Sequence, residues 1–223
     1  MAETIKIAGA DGFEFAAYHE PAFTPRKGGV IVIQEIFGID EYVRADVGRW
    51  AKMGYEAIAP SMYDRRQPGF VAHHDPDGIK AGVAHAMGTP LDQAMGDIAA
   101  CRDFLKTRGE KVCVVGYCYG GSLAWLAAGK VDGLAAASSY YGSMVLANAA
   151  LPRLCATIVH LGQTDPGIAA DEVARAVTEH HGDTPVYIYE GAGHGFNNES
   201  PERYNAEAVD LARHRTLELF DQA

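Results

Sequence analysis

Cys118 stands in Gly116-Tyr117-Cys118-Tyr119-Gly120-Gly121, directly after the apolar run Val112-Cys113-Val114-Val115. The run reads as a buried strand. The glycines allow a turn sharp enough to hold a nucleophile clear of a sheet, the G-x-S-x-G form with sulfur in place of the serine oxygen. Ser122 to Ala128 is small and apolar enough to form a buried helix whose N-terminus faces the sulfur, a setting that favours an anion. A cysteine taken alone in such a turn is most often a small buried hydrophobe. The residues that follow argue otherwise.

A nucleophile on such a turn needs an acid and then a histidine, each in a loop after a later strand. Cys155 to Leu161 reads as a buried strand and ends in Gly162-Gln163-Thr164-Asp165-Pro166, where Pro166 stops the strand and leaves the Asp165 carboxylate in a loop. Val186 to Tyr189 is a short strand closed by Glu190-Gly191-Ala192-Gly193-His194-Gly195-Phe196. His194 thus stands between two glycines with room to turn. In this scheme the sulfur attacks a carbonyl carbon, His194 manages the proton, and Asp165 fixes the imidazole tautomer and stabilises its cation. An oxyanion pocket is then required. Its donors are expected to be the backbone N–H of Tyr119 and that of Ile36, in Gln34-Glu35-Ile36-Phe37-Gly38 after the apolar strand at Gly29 to Ile33.

Four stretches carry a resemblance over nearly the whole chain: Gln34 to Gly38, Ala59-Pro60-Ser61-Met62-Tyr63, Gly116 to Gly121, and Gly193 to Phe196. The chain resembles the dienelactone hydrolases, a cysteine-dependent branch of the α/β-hydrolases. The resemblance implies that Glu35 contacts the resting thiol and accepts its proton when substrate arrives. It also implies arginines that grip the carboxylate of an anionic lactone, one of them four residues after the histidine. Here that position is Asn198, and Val71 to Pro90 contains no arginine, only Lys80 as a strong cation. An amide does not replace a guanidinium as a carboxylate partner. The expectation is therefore a neutral ester or lactone, with Phe37, Lys80, His85, Phe196 and Asn198 as candidate substrate contacts and His73, His74 and Met87 at the rim. His73-His74-Asp75 by itself reads as an ordinary polar loop.

Other chemistries are less well served. The nine histidines form no H-E-x-x-H or Cys-His zinc spacing, so no metal is expected. No G-x-G-x-x-G follows the first apolar strand, and Gly116 to Gly121 lacks the Lys-Ser/Thr of a phosphate loop, so no nucleotide cofactor is expected. Ser122 lies too far into the turn and helix to be the nucleophile. Two alternatives stay open: a promiscuous metal-independent arylesterase or phosphotriesterase on the same three residues, and a non-catalytic, redox-sensing relative in which Cys118 meets oxidants.

The 223 residues carry a formal charge of -10 and are 48% hydrophobic. This describes one globular domain with a substantial core and a surface ill suited to nucleic acid. No apolar run approaches the ~18 residues of a membrane span, and Met1 to Lys6 lacks a signal-peptide core. A cytoplasmic enzyme acting on a small ester or lactone is expected, a homodimer being the one protein partnership left open. Of the four cysteines, only Cys118 has a reactive setting; Cys101, Cys113 and Cys155 fall in expected helices or strands.

To bring these loops together the chain must form an α/β-hydrolase fold, a mostly parallel sheet with an antiparallel N-terminal edge and helices on both faces. Thr4 to Ile7 and Phe13 to His19 supply the edge; strands follow at Gly29 to Ile33, Glu56 to Ile58, the turn bearing Cys118, Ala135 to Tyr141, Cys155 to Leu161 and Val186 to Tyr189. Helices are expected over Glu41 to Met53, Leu91 to Thr107, Asp171 to His181 and Pro201 to Phe220. Residues 60 to 90, rich in proline and glycine, read as an irregular, lid-like segment that selects substrate. If Cys118 is the reactive thiol, peroxide is expected to abolish both its alkylation by iodoacetamide and any turnover, with thiol reductant restoring them only before the sulfinic stage.

Overall fold

A computed structural model describes residues 1–223 as eight strands in a single sheet, ordered β1-β2-β4-β3-β5-β6-β7-β8. The strands are β1 (Glu3–Ala8), β2 (Glu14–Glu20), β3 (Gly28–Ile33), β4 (Tyr55–Pro60), β5 (Val112–Tyr117), β6 (Ala136–Tyr140), β7 (Ala156–Gly162) and β8 (Val186–Tyr189). β2 runs antiparallel to β1 and β4, and every other neighbouring pair is parallel. β3, β4 and β5 are buried throughout, as strands covered on both faces must be.

The helices are α1 (Glu41–Lys52), α2 (Pro76–Gly88), α3 (Leu91–Lys106), α4 (Tyr119–Lys130), α5 (Ala170–His180) and α6 (Ala206–Gln222). One core cluster joins the sheet to Val47 and Trp50 of α1, Val177 of α5 and Phe220 of α6. A second lies under Ile98 and Leu105 of α3 and Leu123 and Ala127 of α4. No helix is long and apolar enough to cross a membrane.

Two expectations are corrected. Residues 60 to 90 are not irregular throughout, because Asp75 caps Gly78 N–H at 2.7 Å, Pro76 starts the helix, and α2 follows. The last helix begins at Ala206 instead of Pro201: Asn205 caps Ala208 N–H at 3.1 Å, so residues 200–205 form a loop. That loop returns over the site, held by Asn205 N–H donating to the Phe196 carbonyl at 3.1 Å.

The sheet order places the reactive loops. β3 is flanked by β4 on one side and β5 on the other, with Ile33 paired to Gly116. The loop carrying Glu35 and Ile36 thus emerges beside the turn carrying Cys118. A crevice opens where successive strands diverge like this, at the carboxyl edge of a parallel sheet. β7 and β8 pair from Val159↔Val186 to Gly162↔Tyr189, which brings the Asp165 and His194 loops together.

Between β5 and α4 the chain packs against itself too closely for any side chain at Gly116, where a Cβ would collide with the Gly120 carbonyl. Gly116→Ala is expected to destabilise the fold by about 1–3 kcal/mol and to lower thiol reactivity with it. Urea unfolding alongside Cys118 alkylation checks both.

Candidate active site

Cys118 caps the N-terminus of α4 with φ 55° and ψ -112°, in the left-handed half of conformational space. For a residue with a Cβ this costs about 1–3 kcal/mol and survives only where the surroundings impose it. They do: Cys118 N–H donates to the Tyr140 carbonyl at 3.0 Å, and the Cys118 carbonyl accepts from Ser122 N–H at 3.0 Å. The helix begins three residues earlier than its composition suggested, directly after the sulfur. Ser122 is fully buried, and its hydroxyl accepts from Met144 N–H at 3.0 Å.

The Asp165 and His194 loops are laced to each other. Thr164 donates to the Ala192 carbonyl from both its N–H and its hydroxyl, each at 2.9 Å. Gly162 makes the approach feasible, since a Cβ there would lie 2.6 Å from the carbonyl oxygens of Ala192 and Gly193. Asp165 Oδ1 accepts from Gly167 N–H at 2.8 Å, which turns Oδ2 to His194 Nδ1 at 2.7 Å. His194 Nε2 then lies 3.1 Å from Cys118 Sγ. Three residues from three loops form one hydrogen-bonded line.

Burial alone would lower the His194 imidazole, but the hydrogen bonds and charges of Asp165 and Cys118 outweigh it, and the group is pushed up to about 10. The ring is cationic at neutral pH and faces the sulfur. The resemblance implied a resting contact between Glu35 and the thiol; instead the sulfur pairs with His194, and Glu35 makes no hydrogen bond to it. Glu35 is buried, desolvation raises its carboxyl, and a hydrogen bond from Asn198 opposes that rise.

Cys118 lies where two lobes of a cleft meet, both bordered by Ile36. One, of about 320 Å³, is lined by Glu35, Phe37, Ile79, His194 and Arg203. The other, about 420 Å³, contains no charged side chain and is walled by Val83, Met87, Leu91, Tyr119 and Met144. The Ile36 N–H donates to no backbone carbonyl, and Tyr119 is the first residue of α4, where an N–H has no partner within its own helix; an oxyanion pocket needs donors of this kind.

Several expected substrate contacts fall elsewhere. Phe37 and Met87 border the cleft, and Lys80 does not, being exposed on α2. His85 is packed against Tyr63 and Phe70, at ring distances of 5.3 and 4.2 Å, and burial lowers its imidazole. Phe196 is fully buried among Tyr140, Tyr141 and Tyr189 because the turn after Gly195 drives it into the core. Asn198 is buried and holds Glu35. Arg203 was missed, although Asn205 is a legible helix cap that would have left it in a loop. It is half-buried and makes no ion pair.

A model of the dienelactone hydrolase family matches residues 15–223. The chain is similar to a carboxymethylenebutenolidase of Pseudomonas putida, 32% identical over 233 residues, covering 99% of this chain and 96% of that one. It also resembles a crystal structure from Klebsiella pneumoniae provisionally named a dienelactone hydrolase, with TM-score 0.87, 27% identity, and 100% and 99% of the two chains covered. A dienelactone hydrolase-like promiscuous phosphotriesterase from metagenomic libraries shares the fold at TM-score 0.77 and 21% identity, covering 99% of this chain and 98% of that one.

Asp165 holds the proton on His194 by hydrogen bond and charge, so Asp165→Asn is expected to make the imidazolium titrate about 1–3 units lower. Nitrogen NMR of the His194 ring against pH reads this directly.

Proposed function

The chain belongs to the dienelactone hydrolase family and is a lactone and ester hydrolase; from that premise we propose that it cleaves carboxylic esters or lactones through a thioester on Cys118. The observation that carries the reading is the unbroken line Sγ to Nε2 at 3.1 Å and Nδ1 to Oδ2 at 2.7 Å, standing at the junction of two open lobes. The scissile carbonyl sits at that junction with its oxygen toward the N–H groups of Ile36 and Tyr119. The thiolate attacks the carbonyl carbon. Charge collects on the oxygen, where fixed N–H donors stabilise the transition state more than the ground state.

His194 then gives its Nε2 proton to the leaving oxygen, and the C–O bond breaks to leave the acyl group on sulfur. Water, deprotonated by the neutral imidazole, attacks the thioester and frees Cys118. Asp165 keeps the ring in the required tautomer throughout. When substrate arrives, Glu35 takes the proton of any un-ionised thiol. No metal or cofactor enters these steps.

His194 must face the leaving group, which places that group in the lobe holding Arg203 and the acyl group in the apolar lobe. The neutral-substrate preference is thereby narrowed to the acyl side. Residues 60–90 act as the selecting segment, since Val83 and Met87 belong to α2. Neutral phosphotriesters are proposed as secondary substrates, an activity named for one structural neighbour.

Wild-type protein is expected to turn over p-nitrophenyl acetate and Cys118→Ala to lose at least about a thousandfold, as removal of a nucleophile does. Thiol labelling without any turnover would favour the redox-sensing alternative. Along a p-nitrophenyl series, kcat/KM should climb with acyl length by about twofold to fourfold per methylene, given ~0.8 kcal/mol per buried CH₂. Met144→Trp should end the climb earlier; a flat series in both proteins would contradict the assignment of the apolar lobe.

A further inference from the structure

Behind Glu35 lies a chain of polar side chains that the reaction above does not use. Asn198 is buried, and its amide orientation is set by Oδ1, which accepts from Ser200 N–H at 3.0 Å. Its Nδ2 therefore carries two protons toward two acceptors: Glu35 Oε2 at 3.2 Å and His74 Nδ1 at 3.2 Å. A ring nitrogen that accepts is unprotonated, so His74 holds its proton on Nε2 and donates it to Asp40 Oδ2 at 2.7 Å. Asp40 is itself anchored, its Oδ1 capping α1 through Val43 N–H at 2.9 Å. The His74 ring lies flat against Phe37, with ring centroids 3.8 Å apart. A polar loop residue has become the middle of a part-buried relay.

The relay leaves the two oxygens of Glu35 unlike. Oε2 is tied to Asn198, whereas Oε1 is buried with no partner. Oε1 faces the loop that carries His194, 3.8 Å from where a Cβ on Gly195 would stand. The charged and titratable groups around the carboxyl are Asp40, His74, Cys118, Tyr141, His194 and Arg203. Asn198 donates a hydrogen bond to it at 3.2 Å, and the buried Tyr141 hydroxyl also faces it.

We propose that Asp40, His74 and Asn198 are positioning residues that clamp Oε2 of Glu35 to the first turn of α1 and so aim Oε1 at the Cys118 thiol. The proton balance is closed: the S–H bond of Cys118 breaks, an O–H bond forms at Oε1, and Asn198 and His74 keep their protons. The inference rests on the activating role proposed for Glu35. Anchoring one oxygen of a carboxylate fixes the direction of the other, and a proton acceptor is useful only in reach and in line.

The test compares Glu35→Gln, Asn198→Ala and His74→Phe, the last retaining a ring against Phe37, with each pair combined. The readouts are kcat and KM on p-nitrophenyl butyrate and the pH dependence of kcat/KM. Asn198→Ala and His74→Phe are each expected to lower kcat about tenfold with KM within about twofold. Losing the Asn198 donor raises the Glu35 carboxyl further, so the acidic limb of kcat/KM should move about one unit to higher pH. In a Glu35→Gln background neither change should add more than about a twofold loss, because residues acting through one group are not additive. Asp40→Asn keeps an oxygen for the helix cap and is the variant to use if either of the others unfolds; its acidic limb should move the same way.

A wild-type profile in Asn198→Ala and His74→Phe, or in Asp40→Asn where it replaces them, would overturn the relay if Glu35→Gln is impaired. Losses that multiply in the Glu35→Gln background would overturn it too. A wild-type profile in Glu35→Gln would instead remove the activating role of Glu35, and the relay with it.

Discussion

The site depends on forcing Cys118 into a backbone conformation that a residue with a side chain resists. At φ 55° its sulfur is lifted off the end of β5 and set at the N-terminus of α4, where it meets His194. The strain of about 1–3 kcal/mol is offset by what surrounds the turn. β5 is buried between β3 and β6, α4 is buried along most of its length, and Gly116 lets the two elements approach until backbone touches backbone. The placement of this sulfur is consequently a property of the packed sheet. Loosening the β5–α4 junction would relax the turn and withdraw the sulfur from the imidazole.

Electrostatics follow from the same placement. The desolvation of the part-buried His194 ring works against its charge, yet Asp165 on one side and sulfur on the other outweigh it and favour the cation. Asp165 does this because Gly167 occupies its second oxygen, leaving one direction for the other. Glu35 is arranged by the same device, one oxygen held by Asn198 and one left free. Each carboxylate thus has one oxygen fixed and the other given a direction. The first supports a cation beside the sulfur, and the second is desolvated, which raises its carboxyl.

Much of this was legible in the residues. The strand ends bearing Cys118, Asp165 and His194 were marked by apolar runs that stop at glycine or proline, a local signal that tertiary packing reinforces. The mostly parallel sheet and its antiparallel edge followed from hydrophobic pattern and resemblance, whereas the order of the strands in the sheet did not. Substrate contacts were less legible, because side-chain direction in a loop has no periodicity to read. Phe196 two residues from His194 turns into the core, while Arg203 nine residues away turns into the cleft. Asn198, sought as a substrate contact, and His74, placed at the rim, bond to each other across 124 positions. No spacing rule announces such a pair.

The central claim is a covalent bond between substrate and one sulfur. The most direct measurement mixes the protein with a slowly hydrolysed ester, quenches in acid, and locates any acyl group by peptide mass spectrometry. The acyl mass is predicted on the peptide containing Cys118, lost on treatment with hydroxylamine as a thioester is. Steady turnover with an acyl group on another residue, or with none accumulating even where hydrolysis of the intermediate is blocked, would contradict the account.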